Sequence, residues 1–155
     1  MTVIAIGCDH AGFELKTSLL AELTRRKYEI LDVGTLVPKA DDDYPTFCFA
    51  VGQAVASGKA AWGIVLGGSG QGEQIAANKV PGVRAALCHD PYLAHLARSH
   101  NGANVLAMGG RIVAPQFALA ILDTWIATPF DAGRHQRRID LITAYERGQS
   151  PAQTS

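Results

Sequence analysis

No apolar run in the chain approaches the roughly 20 residues a membrane-spanning helix requires, which excludes a helical integral membrane protein. Charge of one sign is also missing. Fourteen lysines and arginines face 14 aspartates and glutamates, so no overall field draws nucleic acid or an anionic surface, and any anion site has to be built locally. Cysteine is scarce: Cys8, Cys48 and Cys88 are odd in number, far apart and set in apolar sequence, which argues against a disulfide framework or a Cys-x-x-Cys zinc site. Cys8 ends an apolar run beside Asp9 and reads either as a small buried filler or as a reactive thiol. His89 and His95 carry no clear signal, and no histidine–carboxylate set has metal-ligand spacing, so the expectation is a site without metal or cofactor. The N-terminus runs from Val3-Ile4-Ala5-Ile6 directly to Asp9 and His10, with neither the basic region nor the apolar stretch of a signal peptide; a soluble cytoplasmic protein is expected.

What is present is a regular alternation. Short β-branched apolar runs at 3–6, 29–33, 62–66, 83–87 and 104–108 read as strands. Between and after them, segments at 13–26, 45–57, 73–78, 91–99, 115–127 and 135–147 read as helices; in the first, Phe13, Leu15, Leu19, Leu20 and Leu23 recur on one face. Strongly apolar strands joined by helical crossovers imply a parallel sheet covered on both faces. The predicted fold is therefore α/β, a doubly wound, Rossmann-like three-layer αβα sandwich with a five-stranded parallel sheet and a C-terminal helix. A chain of 155 residues suits one domain, placed at 1–148, with 149–155 as a flexible polar tail. Ligands of such sheets bind beyond the carboxyl ends of the strands, which directs attention to 7–12, 34–44, 67–72, 88–90 and 109–111.

The densest signal lies there, in Leu66-Gly67-Gly68-Ser69-Gly70-Gln71-Gly72-Glu73, a glycine-rich turn between a strand and a helix that exposes backbone N–H groups to an anion. It has the glycine spacing of a Walker loop but continues Glu73-Gln74, without the lysine that grips phosphate. As a dinucleotide fingerprint it places Glu73 where the third glycine belongs, and a carboxylate there would face a pyrophosphate. A third reading makes Glu73 a base that removes a proton from carbon while the neighbouring N–H groups stabilise an enediolate oxygen. The plain alternative is an acidic residue complementing the helix dipole. Asp9 and His10, after the first strand, share the same crevice, or serve as an N-cap and a surface residue. Ser99-His100-Asn101 follows the fourth helix, where a histidine commonly sits against the helix C-terminus. Arg134, Arg137 and Arg138 share a helix face that fits either a phosphate clamp alongside His135 or a solvated basic face paired with Asp131 or Asp140. Arg111, right after the fifth strand, is a further anion-site candidate.

Read together, Gly7-Cys8-Asp9-His10-Ala11-Gly12, Asp43-Tyr44-Pro45, Gly68-Ser69-Gly70-Gln71-Gly72-Glu73, Ala76-Ala77-Asn78-Lys79, His100-Asn101 and Arg134-His135-Gln136-Arg137-Arg138 closely resemble the ribose-5-phosphate isomerase B family, in the same order and over nearly the whole chain. The resemblance implies a cofactor-free aldose–ketose isomerase of the pentose phosphate pathway, interconverting ribose 5-phosphate and ribulose 5-phosphate through a cis-enediolate. It makes Glu73 the base, Ser69 a proton relay, and the amides of Gly68 to Gly72, with Gly68, Gly70 and Gly72 in contact, the anion hole. Asp9 and His100 become the candidates for ring opening, Asn101 and Tyr44 substrate contacts, and His10, Arg111, Arg134 and Arg138 the phosphate site, with Arg137 beside them. One branch of the family uses a cysteine base at the end of the third strand, where this chain has Gly67; the resemblance is to the branch that pairs glycine there with glutamate in the loop. It also implies a homodimer or tetramer whose active site lies at the subunit interface. Other sugar phosphates are alternative substrates, namely allose 6-phosphate, galactose 6-phosphate or a tetrulose phosphate, and a non-catalytic phosphate-binding module is an alternative class; a redox role through Cys8 is a third. Neither nucleic acid nor a membrane is an expected partner.

Overall fold

The computed structural model describes residues 1–149. Its elements run β1 (Val3–Cys8), α1 (Phe13–Arg25), β2 (Glu29–Asp32), α2 (Tyr44–Ala56), β3 (Trp62–Gly67), α3 (Gln71–Ala77), β4 (Ala85–Leu87), α4 (Pro91–Ser99), β5 (Val105–Gly109), α5 (Pro115–Ala127) and α6 (Arg134–Glu146), with a short 3-10 turn at His10–Gly12. The five strands are all parallel in the order β2-β1-β3-β5-β4, as the strand–helix alternation predicts. No helix among the described residues is long and apolar enough to cross a membrane.

Successive residues of a strand face opposite sides of the sheet, and the two cores follow that period. Ile4, Ile6 and Cys8 of β1, Ile64 and Leu66 of β3, and Leu106 and Met108 of β5 join Leu15, Leu19 and Leu23 of α1 and Ala118, Ile121, Leu122 and Trp125 of α5. On the other face Ala5, Val65, Val105 and Ala107 meet Cys48, Val51 and Ala54 of α2 and Ala76 and Ala77 of α3. The small residues of this second face let α2 and α3 lie close to the strands. All three cysteines are free and buried, and burial pushes each thiol up to about 12. Of the two readings of Cys8, the buried filler is the one its environment matches.

Element ends depart from the sequence reading where long-range pairing overrides propensity. β1 and β3 continue through Cys8 and Gly67 because the register Cys8↔Leu66 and Gly67↔Gly109 keeps them hydrogen-bonded. β4 begins only at Ala85, since Val83 N–H closes a turn onto Val80 and Arg84 N–H goes to the Asn104 side chain. α3 begins two residues before Glu73, at Gln71, because Gly70 takes a left-handed φ of 79° and turns the chain into the helix. At the C-terminus Gln149 N–H closes onto Ala144 O at 2.9 Å, and the remainder of the predicted tail, 150–155, lies outside the described residues.

The chain passes from β1 outward to β2 and then crosses back to β3, so the strand order reverses between β1 and β3. That switch point opens a crevice at the carboxyl ends of these two strands. Its walls depend on the packed centre of the sheet: Leu106 of β5, paired with Ile64 of β3, is fully buried, and Leu106→Ala should lower stability by about 2–5 kcal/mol. Urea unfolding followed by circular dichroism is expected to show a lower midpoint at an unchanged slope.

Candidate active site

Asp9 leaves the end of β1 as the cap of the 3-10 turn, its Oδ1 accepting from the amides of Ala11 at 2.9 Å and Gly12 at 3.1 Å. The turn fits against β3 only because Gly12 has no side chain: a Cβ there would lie 2.5 Å from the Leu66 carbonyl. Asp9 is thus the N-cap one reading expected, and it also faces the crevice. With His10, Tyr44, Gly68, Ser69, Gly72, Glu73 and Arg111 it lines a cavity of about 380 Å³, to which Ala11 and Ile112 also contribute. Eight of the residues assigned from sequence to one site are gathered here from the ends of β1, β3 and β5 and the starts of α2 and α3.

Glu73 is the buried centre of this group, with 4% of its surface exposed. A Cβ on Gly67 would overlap its carboxyl group, so the glycine at the end of β3 is the space into which the carboxylate folds back. Burial pushes the Glu73 carboxyl above its usual value and the charge of Asp9 adds to the rise; hydrogen bonds from its own amide and that of Gly70 act the other way. The first amides of α3 have no intrahelical acceptor. Gln71 N–H is taken by Ser69 Oγ at 3.3 Å, and Gly72 stands on the cavity wall with the Tyr44 ring so close that a Cβ on Gly72 would meet it at 2.5 Å.

Other glycines fix the backbone beneath. Gly70 packs on Met108 and Leu87 and is not on the cavity wall; Gly109 lies against Ser69, where a Cβ would come within 2.6 Å of its backbone. Arg111 N–H donates to Gly68 O at 3.0 Å, and its guanidinium rests over Gly68. His10 contributes a buried Nδ1 that has no hydrogen-bond partner among the described residues.

His100, Asn101 and Arg138 are not in this cavity. They line a second one of about 590 Å³ between α4 and α6, together with His135 and the apolar Ile139 and Ile142. His100 caps the end of α4, its N–H bonded to Leu96 O at 2.9 Å, and its ring stacks on His135 at 4.3 Å with 10° between the planes. Burial against that ring, with the charges of His100, Arg134 and Arg138, holds the His135 imidazole below its usual value. Ligand-type atoms of His100, Asp131 and His135 lie within 4.8 Å of one another, a grouping across three segments that sequence spacing did not reveal. Parallel rings carry their lone pairs side by side, however, and do not point them at a common centre. Arg134 and Arg137 are exposed, and neither they nor Arg138 has a carboxylate at ion-pair distance among the described residues; Asp140 bonds Gln136 at 2.8 Å. The solvated pairing expected as one alternative is not formed.

A buried carboxylate in the first turn of a helix that follows a glycine-rich loop, at the switch point of a doubly wound sheet, is equipment for moving protons next to a carbonyl group. The chain belongs to the ribose/galactose isomerase family, whose model matches residues 4–142. It is 50% identical over 145 residues, 93% of this chain and 91% of the relative, to ribose-5-phosphate isomerase B of Mycolicibacterium paratuberculosis. Its fold matches the solved structure of ribose-5-phosphate isomerase B from Clostridium thermocellum with a TM-score of 0.92 and 46% identity, over 95% of this chain and 99% of that one. The structure of ribose-5-phosphate isomerase B from Mycoplasma genitalium, with bound ribulose-5-phosphate, matches at a TM-score of 0.90 and 40% identity, covering 94% and 97% of the two chains.

The raised Glu73 carboxyl has a consequence for stability. The folded chain holds this proton more tightly than the unfolded one, so the contribution is fully present below the ordinary value of 4.5 and is lost as pH rises through the folded value. Glu73→Gln removes the cost of the buried charge. The variant should melt at a higher temperature than the unmodified chain at pH 7.5, and the difference should vanish as pH falls below about 4; calorimetry across that range measures it.

Proposed function

We propose that the chain interconverts D-ribose 5-phosphate and D-ribulose 5-phosphate by proton transfer, with Glu73 as base. The observation that carries this reading is the buried Glu73 carboxylate held in the space left by Gly67, in the first turn of the helix that follows the glycine loop. Asp9 assists opening of the furanose ring. Glu73 takes the proton from the second carbon of the open aldose, and the electron pair moves to the first carbon's carbonyl oxygen to form an enediolate. The amides of the 68–72 loop hold that oxygen, Ser69 passes a proton between the two oxygens, and Glu73 returns its proton to the first carbon. Nothing is oxidised or reduced overall, so the reaction asks for no redox cofactor. A carboxyl whose pKa is raised by burial suits the step, because it is a stronger base than an exposed one.

Arg111 and His10, both on the cavity wall, offer one side of a phosphate site. The remaining assigned groups, His100, Asn101, Arg134 and Arg138, belong to the α4–α6 region, away from Glu73. Their separation within one chain is accounted for if a second copy brings its α4–α6 face to the crevice, making the active unit a homodimer, or a tetramer of such pairs. Ile75 on α3 and Leu141, Ile142 and Tyr145 on α6 are exposed apolar side chains of the kind such a contact would cover.

The direct test is a coupled assay with ribose 5-phosphate and a panel of four- and six-carbon sugar phosphates. Turnover of the pentose phosphate should fall about a thousandfold in Glu73→Gln, with binding retained. Gly67→Ala should fold normally, because only a flexible side chain has to move, yet lose about a hundredfold in kcat. Preference for a six-carbon substrate would keep the mechanism and change the substrate, and binding without turnover would replace the enzyme by a phosphate-binding module. The shared site has its own test in Glu73→Gln and His100→Asn, each inactive alone. After unfolding, equal mixing and refolding, a site built across subunits restores about a quarter of the unmodified activity; a site within one chain restores none.

A further inference from the structure

Lys16 points into the protein from the first turns of α1 with 2% of its surface exposed. An ammonium taken out of water is costly unless each of its protons finds an acceptor, and here all three do. Nζ donates to Asp32 Oδ1 at 3.1 Å, to Asp32 Oδ2 at 2.9 Å and to the Thr35 carbonyl at 2.8 Å, with the Phe13 ring centroid 5.4 Å away. Asp32 closes β2 and Thr35 lies in the loop leading to Tyr44, so one ammonium ties together both ends of a sharp turn. Asp32 Oδ1 also accepts from Gly34 N–H at 3.0 Å, and Thr35 N–H donates to the carbonyl of Cys8, the residue before Asp9, at 3.0 Å. Between them Gly34 is pressed so close that a Cβ would lie 2.7 Å from Cys8 N and 3.2 Å from Lys16 Nζ.

A buried ion pair seldom adds stability over apolar residues of the same volume. What it supplies, and a leucine cannot, is direction: three bonds that set the 32–35 segment at one height against the end of β1. We propose that Lys16 is a positioning residue of the active site, acting through Asp32 and Thr35 to fix the Cys8–Asp9 turn and the start of the loop that presents Tyr44. The proposal rests on the isomerase reading for its effect on turnover, while its effect on the Asp9 turn is independent of that reading.

The test replaces both charges by apolar groups in Lys16→Met with Asp32→Leu, and uses the isosteric Asp32→Asn as a second variant should the pair fail to fold. The paired variant is expected to melt at or above the temperature of the unmodified chain, with kcat for ribose 5-phosphate lowered at least about tenfold and KM little changed. Amide hydrogen exchange should speed up by a similar factor at Thr35, Ala11 and Gly12 and stay unchanged at Leu106. Asp32→Asn should show smaller changes at the same amides and in kcat. Unaltered exchange at Thr35, Ala11 and Gly12 in a folded variant overturns the proposal whatever happens to kcat, and so does full kcat alongside faster exchange. If the unmodified chain turns over no sugar phosphate, the isomerase reading fails, and the exchange measurement still decides whether Lys16 orders the Asp9 turn.

Discussion

The carboxyl group of Glu73 fills the volume that any side chain at position 67 would need, and much of the site follows from that exclusion. β3 has to end in glycine, and the chain beyond it has to turn back sharply enough to bring the first turn of α3 over the strand end. Gly70, with its positive φ, makes that turn, and Gly109 on the neighbouring strand leaves room for Ser69 beneath it. Gly72 then allows the Tyr44 ring to close over the loop. The glycines of this region therefore do more than admit an anion to backbone amides. They bring three strand ends and one helix within reach of a single carboxylate, at a density no other residue type permits.

Charge inside this small protein is arranged in compensated pairs and uncompensated exceptions. Lys16 and Asp32 cancel beneath the end of β1, and Glu22 with Arg25 and Arg26 does so on the surface, where burial is slight and the gain small. Asp9 and Glu73 are different: both buried, both acidic, lining one cavity without a cation at ion-pair distance among the described residues. Proteins rarely retain such an arrangement for stability, since burial and the charge of Asp9 both make ionisation of Glu73 harder. A basic carboxyl group is what proton abstraction from carbon requires, so the energetic cost and the proposed chemistry have one origin.

The other feature that points beyond a single chain is the division of polar groups between two cavities. Within the chain His100 and Asn101, at the end of α4, line the α4–α6 groove with Arg138, Ile139 and Ile142 of α6, and α6 buries only Ile139 of its own residues. A helix so poorly covered is weakly held by its own domain, and the proposed pairing of subunits would give it a second surface to pack on.

The fold was legible because it is written in short-range periodicity. Apolar runs of strand length alternating with helical stripes leave few arrangements other than a parallel doubly wound sheet, and the glycine-rich turn after β3 marks its own position. The residues of the motifs were legible in the same way, as a set of types in a fixed order. Sequence did not determine which of them meet: it could not place His100 and Arg138 apart from Glu73, nor gather Asp131 and His135 around His100, because those groupings depend on how α4 and α6 pack. It gave no sign of Lys16, which on a helical wheel is one more polar residue of α1, and whose burial arises only when β2 and the 33–35 loop fold against it. Nor could it say that Gly67 is the space for Glu73. Two residues six positions apart share one volume only after the strand, the turn and the helix have been set by the rest of the sheet, since local sequence fixes the period of each element while distances between elements are fixed by packing.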